Sequence, residues 1–110
     1  MRRGVLLALL LLLPAPLLAQ SGSARDTVTR AVRAYEDLDF DLAATLLRRA
    51  LASALDDSTR VRALAYLGAA EHYRMQPDSA AAAFHQLALL APGYQPDTLV
   101  FAPEVTTLYN

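Results

Sequence analysis

The stretch Phe40-Asp41-Leu42-Ala43-Ala44-Thr45-Leu46-Leu47-Arg48-Arg49-Ala50-Leu51 returns 37 residues later as Pro77-Asp78-Ser79-Ala80-Ala81-Ala82-Ala83-Phe84-His85-Gln86-Leu87-Ala88. Asp41, Ala43, Leu47 and Ala50 of the first copy fall opposite Asp78, Ala80, Phe84 and Leu87 of the second. Within each copy the apolar residues recur every three or four positions, which places them on one face of a helix. A repeat period of about 34 to 40 residues marks stacked helix pairs. One pair cannot bury its apolar face alone, so successive pairs stack and together present an extended surface.

Each copy has a partner helix before it. Val28, Ala31, Val32, Tyr35 and Leu38 share one face of a helix over about Asp26 to Leu38. A turn follows at Asp39 to Asp41, where Asp39 can cap the next helix and Phe40 can pack across the hairpin. The adjacent apolar pairs running from Leu42 and Ala43 to Ala54 and Leu55 form a stripe wide enough to touch neighbours on two sides. Asp56-Asp57-Ser58 closes this helix, with Asp57 or Ser58 as the next cap. A third helix is expected from Thr59 to Met75, with Val61, Leu64, Ala65, Gly68, His72 and Met75 on one face. Glycine inside a helix costs about 1 kcal/mol relative to alanine, so Gly68 marks a close helix crossing. Pro77 suits the first turn of a fourth helix, and Pro92-Gly93 ends it. Tyr94 to Phe101 reads as an extended connector, after which Pro103 opens a short helix with Val105, Leu108 and Tyr109 as its apolar face. The expected fold is all-α: two stacked antiparallel hairpins over residues 26–92, followed by residues 93–110 as connector and short C-terminal helix.

The first residues have another character. Arg2 and Arg3 precede an apolar run from Val5 to Leu13, which Pro14 and Pro16 break. A membrane-spanning helix needs about 20 apolar residues, so the run reads as a signal peptide over residues 1–19. Cleavage after Ala19 or after Ala24 fits the small-residue preference at such sites. Residues 20–25 form a flexible leader. This implies a periplasmic or secreted product with no stable membrane span after cleavage. The chain has no cysteine, hence no disulfide framework. Eight arginines face eleven acids once Arg2 and Arg3 are removed, and no basic patch suited to nucleic acid is visible.

Leu64, Leu67, Gly68, Ala80, Phe84 and Pro92 hold the spacings of a tetratricopeptide repeat, and residues 61–94 resemble that family over a full repeat length. Residues 24–57 are similar to it more loosely. There Ala43, Leu47 and Ala50 hold second-helix positions, Ala31 replaces the family's glycine, Tyr35 lies one place beyond the usual aromatic, and the closing proline is missing. In the second repeat Glu71 stands at the aromatic position and Leu87 at the usual alanine. Residues 56–58 lengthen the period, and Gly93 to Asp97 with Ala102-Pro103-Glu104-Val105 resembles the tail of bacterial exported envelope proteins of this class. The resemblance implies an α-solenoid that binds a protein or peptide ligand in a concave groove. It places in that groove Arg25, Val28, Val32, Tyr35 and Glu36 from the first repeat, and Arg62, Ala65, Ala69, His72 and Tyr73 from the second. The valines and tyrosines equally fit ordinary hairpin core. The alternative role is a structural one, a self-association or spacer module forming a homo-oligomer within a larger cell-envelope protein.

Other chemistry finds little footing. His72 and His85 lie 13 residues apart with no cysteine to join them, and metal binding needs three or four convergent ligands. Ser53, Ser58 and Ser79 sit in helix or cap contexts without a histidine partner. No phosphate-binding glycine loop occurs. The sequence therefore predicts a non-catalytic protein without metal or other cofactor. Arg48 and Arg49 read as solvent-facing residues near a helix C-terminus, where the dipole favours cations.

Overall fold

Two turns of the same shape, 37 residues apart, fold the chain back on itself. In each, a non-glycine residue adopts the left-handed conformation, Leu38 with φ 64° and Met75 with φ 61°. The Asp39 N–H donates to the Ala34 carbonyl at 2.8 Å and the Leu38 N–H to that of Tyr35 at 3.0 Å. The Gln76 and Met75 N–H groups reach Glu71 and His72 in the same way, at 2.9 and 3.0 Å. These pairs of bonds satisfy carbonyls that a helix end leaves open.

The computed structural model describes residues 15–97 and 100–109. Its order is α1 (Ala15–Glu36), α2 (Phe40–Leu51), α3 (Asp57–Tyr73), α4 (Pro77–Leu90) and α5 (Pro103–Tyr109), with no strand among the described residues. α1 packs along α2, α3 along α4, and α2 against α3, so two helix pairs form one stack. The expected signal peptide lies outside the described residues except for positions 15–19, which are helical backbone.

α1 begins at Ala15 rather than at Asp26 and takes in residues 20–25, read from the sequence as a leader. Ala24 is buried, and the Thr27 hydroxyl donates to the Ser23 carbonyl at 2.8 Å, so packing extends to this turn. Asp39 caps α2 as expected, accepting from the Leu42 N–H at 3.2 Å. α2 then stops at Leu51, short of Ala54 and Leu55, and the Arg60 guanidinium donates to the Leu51 and Ser53 carbonyls left open there, at 3.4 and 3.3 Å. The cap of α3 is Asp56 rather than Asp57 or Ser58. Its carboxylate accepts from the Thr59 N–H at 3.1 Å and from the Ser58 and Thr59 hydroxyls, each at 2.7 Å. Those bonds, the Thr59 hydroxyl foremost, hold the Asp56 carboxyl well below the usual carboxylate range. Pro77 opens α4 and Pro103 opens α5, each at a position whose N–H has no helical acceptor.

Gly68 sits where α3 meets α4. A Cβ there would lie 2.3 to 2.6 Å from three ring carbons of Phe84, so the ring occupies the space that any side chain would need. The core extends from Val28, Leu47 and Ala50 in the first pair to Leu64, Leu87 and Val105.

One charged residue lies within this core. Glu71, fully buried, accepts from Arg48 of α2 with one carboxylate oxygen and from Arg74 at 2.6 Å with the other. Arg74 also donates to Asp41 at 2.7 Å, which with Glu71 raises its own proton affinity. Arg48, read as a solvent-facing residue, is thus half of an ion pair between the two helix pairs. A buried carboxylate without partners would be expensive, and here both oxygens are satisfied.

Candidate inner-face surface

The residues assigned to a groove come from the last turns of α1 and the length of α3, and the structure gathers several of them around one ring. Tyr35 meets Phe40 and Tyr66 edge-on, with centroids 5.4 and 5.1 Å apart, and Tyr73 at 6.3 Å. Phe40 stacks on Tyr73 at 4.7 Å with planes 21° apart. Edge-to-face and offset arrangements of this kind add stability beyond the buried area, about 0.5–1.5 kcal/mol per pair. The turn residue Phe40 does pack across the hairpin, and beyond it onto α3. Burial, reinforced by neighbouring Tyr73 and Tyr66, pushes the Tyr35 hydroxyl far above its ordinary value.

Charge surrounds this aromatic floor. The Arg62 guanidinium lies 5.6 Å from the Tyr66 ring centre, within cation–π range, and is exposed, as is Glu36. Burial raises the Tyr66 hydroxyl and the Arg62 charge partly offsets it. Arg25, also exposed, pairs with Asp56 at 3.2 Å and so ties α1 to the start of α3. The groove residues therefore divide. Arg25, Glu36 and Arg62 face solvent; Val28, Val32, Tyr35, Ala65 and Ala69 are core; His72 and Tyr73 are half-buried at the edge. The His72 ring lies 5.1 Å from that of Tyr73 and lines a cavity of about 90 Å³ with Pro77, Ala80, Phe84 and Leu108.

The C-terminal segment meets the same face, which periodicity alone did not indicate. Phe101, only 4% exposed, packs 5.0 Å from Tyr66 and 6.2 Å from Tyr35. Val105 is 1% exposed, and the Tyr73 hydroxyl donates to Glu104 at 3.2 Å, a bond that, after burial, raises the Tyr73 hydroxyl further. Tyr109 contacts Phe84 and Tyr94 edge-on. Residues 94–101 are thus not a featureless connector: the N–H groups of Val100 and Phe101 both donate to the Asp97 carbonyl, forming a turn that delivers Phe101 inward. The available sequence signal was an aromatic residue two positions before the helix-opening Pro103.

A separate groove of about 410 Å³ runs between α2 and α4 over α3, with Arg48, Leu51, Leu67, Glu71 and Gln86 among its lining. Its carboxylate is already engaged on both oxygens by arginines. The face of α1 and α3 differs, with a largely buried aromatic cluster and, at its margin, Arg62 over Tyr66, Arg25 paired with Asp56 and exposed Glu36. Among the described residues no group of three or more His, Asp or Glu side chains could hold a metal ion, and no helix is long and apolar enough to cross a membrane.

No family model, curated protein or solved structure matches the chain. Any functional reading must therefore start from this geometry.

Proposed function

We propose that the chain is an exported, non-catalytic tetratricopeptide-like module that binds a protein or peptide through the inner face of α1 and α3. The observation that carries this reading is the aromatic cluster built jointly by both helix pairs, in which buried Tyr35 and Tyr66 support half-buried Phe40 and Tyr73, with exposed Arg62 and Glu36 beside it. Rigid aromatic area flanked by arginine is the composition that interfaces favour. Export to the periplasm or outside the cell is supported by Arg2-Arg3, the apolar run from Val5 to Leu13 and the small residue Ala19.

The test is site-specific photo-crosslinking in the cell envelope. A crosslinker at position 62 should trap a partner, whereas one at Arg49, exposed on α2, should not. Equal trapping from both positions, or none from position 62, refutes the assignment.

A second reading has its own observation. Leu89 and Leu108 are exposed, and Leu90 partly so, at the α4–α5 end of the stack, where a further helix pair would rest. Under this reading the protein is a self-associating or spacer module of the cell envelope. Sedimentation equilibrium separates the two, since end-to-end association produces mass growth with concentration that Leu89→Glu abolishes.

A further inference from the structure

The start of α1 has two neighbouring regions of different character. Gly22 and Ser23 are exposed, and a Cβ at Gly22 would meet nothing within 4 Å. Ala24 is buried, Arg25 pairs with Asp56 at 3.2 Å, and Thr27 and Val28 are buried at 8% and 1% exposure. The packed part of the helix therefore opens at Ala24. In a helix each N–H pairs with the carbonyl four residues back, so the Thr27 and Val28 N–H groups depend on Ser23 and Ala24. The Thr27 hydroxyl also donates to the Ser23 carbonyl, at 2.8 Å. Ser23-Ala24-Arg25-Asp26, just ahead of the apolar stripe that begins at Val28, has the spacing of a capping box. In that motif the serine hydroxyl accepts the N–H three residues on and the acid reaches back to the serine N–H.

We infer that export processing cuts the bond between Ala19 and Gln20, and that Ser23 then becomes the N-cap of α1 in the mature protein. The inference rests on the export reading above. A signal-removing peptidase adds water across that amide, the hydroxyl going to the Ala19 carbonyl carbon and the proton to the Gln20 nitrogen. After ionisation a carboxylate and an α-ammonium group remain. Both candidate bonds follow a small residue, Ala19 or Ala24, so the small-residue preference does not choose between them. The helix ends they leave behind do. A cut after Ala19 keeps Ser23 and Ala24 with their carbonyls, and residues 20–23 hold the new α-ammonium away from the packed turn. A cut after Ala24 removes the capping serine and the acceptors of the Thr27 and Val28 N–H groups. It also puts a second cation on Arg25, at the positive end of the helix dipole.

The full chain, residues 1–110, is expressed in a Gram-negative host, and the periplasmic product is weighed by intact-mass spectrometry. The expected mass is that of residues 20–110, or that mass less ammonia where the new N-terminal glutamine has cyclised. An exported product beginning at any other residue, Arg25 or an uncut Met1 included, overturns this inference and leaves export standing. A chain that stays uncut in the cytoplasm sinks the export reading itself, and this inference with it. The cap is tested on the same exported product carrying Ser23→Ala. Losing a cap should lower Tm by roughly 4–8 °C, followed by circular dichroism at 222 nm. An unchanged or raised Tm would put Ser23 inside a continuing helix, where alanine is the better residue, and would refute the cap assignment.

Discussion

Adding one methyl group at Gly68 drives it into the ring of Phe84. The Cβ would stand 2.3, 2.5 and 2.6 Å from three ring carbons, while carbon atoms in a packed core rest about 3.5–4.0 Å apart. The ring would have to retreat by more than about 1 Å, and Tyr109 already packs on it edge-on at 5.8 Å. Overpacking of this kind costs about 1–3 kcal/mol, and three simultaneous contacts put Gly68→Ala toward the upper end. Replacing a helical glycine by alanine returns about 1 kcal/mol. The net expectation is a loss of about 1–2 kcal/mol, or a fall in Tm of roughly 5–15 °C for a domain of this size, measured by circular dichroism at 222 nm. Phe84→Leu removes the clashing ring edge. In the double variant Gly68→Ala should therefore be less harmful than alone, with a coupling of about 1 kcal/mol. A Gly68→Ala protein as stable as the parent, or strictly additive effects in the cycle, would refute the close crossing of α3 and α4.

Glu71→Gln removes the charge that holds Arg48 and Arg74 but leaves both arginines partly exposed, at 49% and 27%, so they can rehydrate. The expected loss is about 1.5–3 kcal/mol, read as a lower urea midpoint with an unchanged m-value. Leu38→Gly and Met75→Gly relieve left-handed backbone at side chains that are 73% and 82% exposed; each should gain about 0.5 kcal/mol, and a lowered Tm would contradict the turn geometry. Asp56 stays ionised in the folded state to a pH where the unfolded chain is protonated, so its contribution is present above about pH 4 and lost as the pH falls below it. Asp56→Asn should flatten that acid limb in pH-dependent melts. Tyr35, Tyr66, Tyr73 and Tyr94 have the opposite sign: their folded hydroxyls keep the proton longer, so stability is full below about pH 10 and declines as the pH rises past it.

Local signals were legible because they act over a few residues. The 37-residue repeat, the Asp39 cap, the tight spot at Gly68 and the proline starts at 77 and 103 all appear in the structure. The cap of α3 was misplaced by one or two residues because three neighbouring polar residues compete for it, and Asp56 wins by collecting an N–H and two hydroxyls at once. At the end of α2 Arg60 reaches back seven to nine residues to the open carbonyls, a contact that no cap rule describes. Arg48 and Glu71 were separately visible, one as a late-helix arginine and the other as an acid at a position where the resembled family carries an aromatic. Their partnership spans 23 residues and emerges only when the two hairpins stack. Several residues assigned to a groove lie together around Tyr35, yet the sequence did not say that Phe101 would join them, because its position follows from a turn at Asp97 that carries no helical period.

The ion-pair chain from Arg48 through Glu71 and Arg74 to Asp41 also has a consequence in time. Each hairpin closes over a three-residue turn, whereas these pairs join positions 23 and 33 residues apart. Contacts between near neighbours in sequence form early, and distant ones wait for loop closure. Interactions made after the folding barrier govern the rate of escape from the native state rather than the rate of entry. Glu71→Gln should accordingly leave the folding limb of a chevron plot nearly unchanged and raise the unfolding limb. The buried carboxylate acts as a latch on a shut door: it sets how long the hairpins stay in register once they have met.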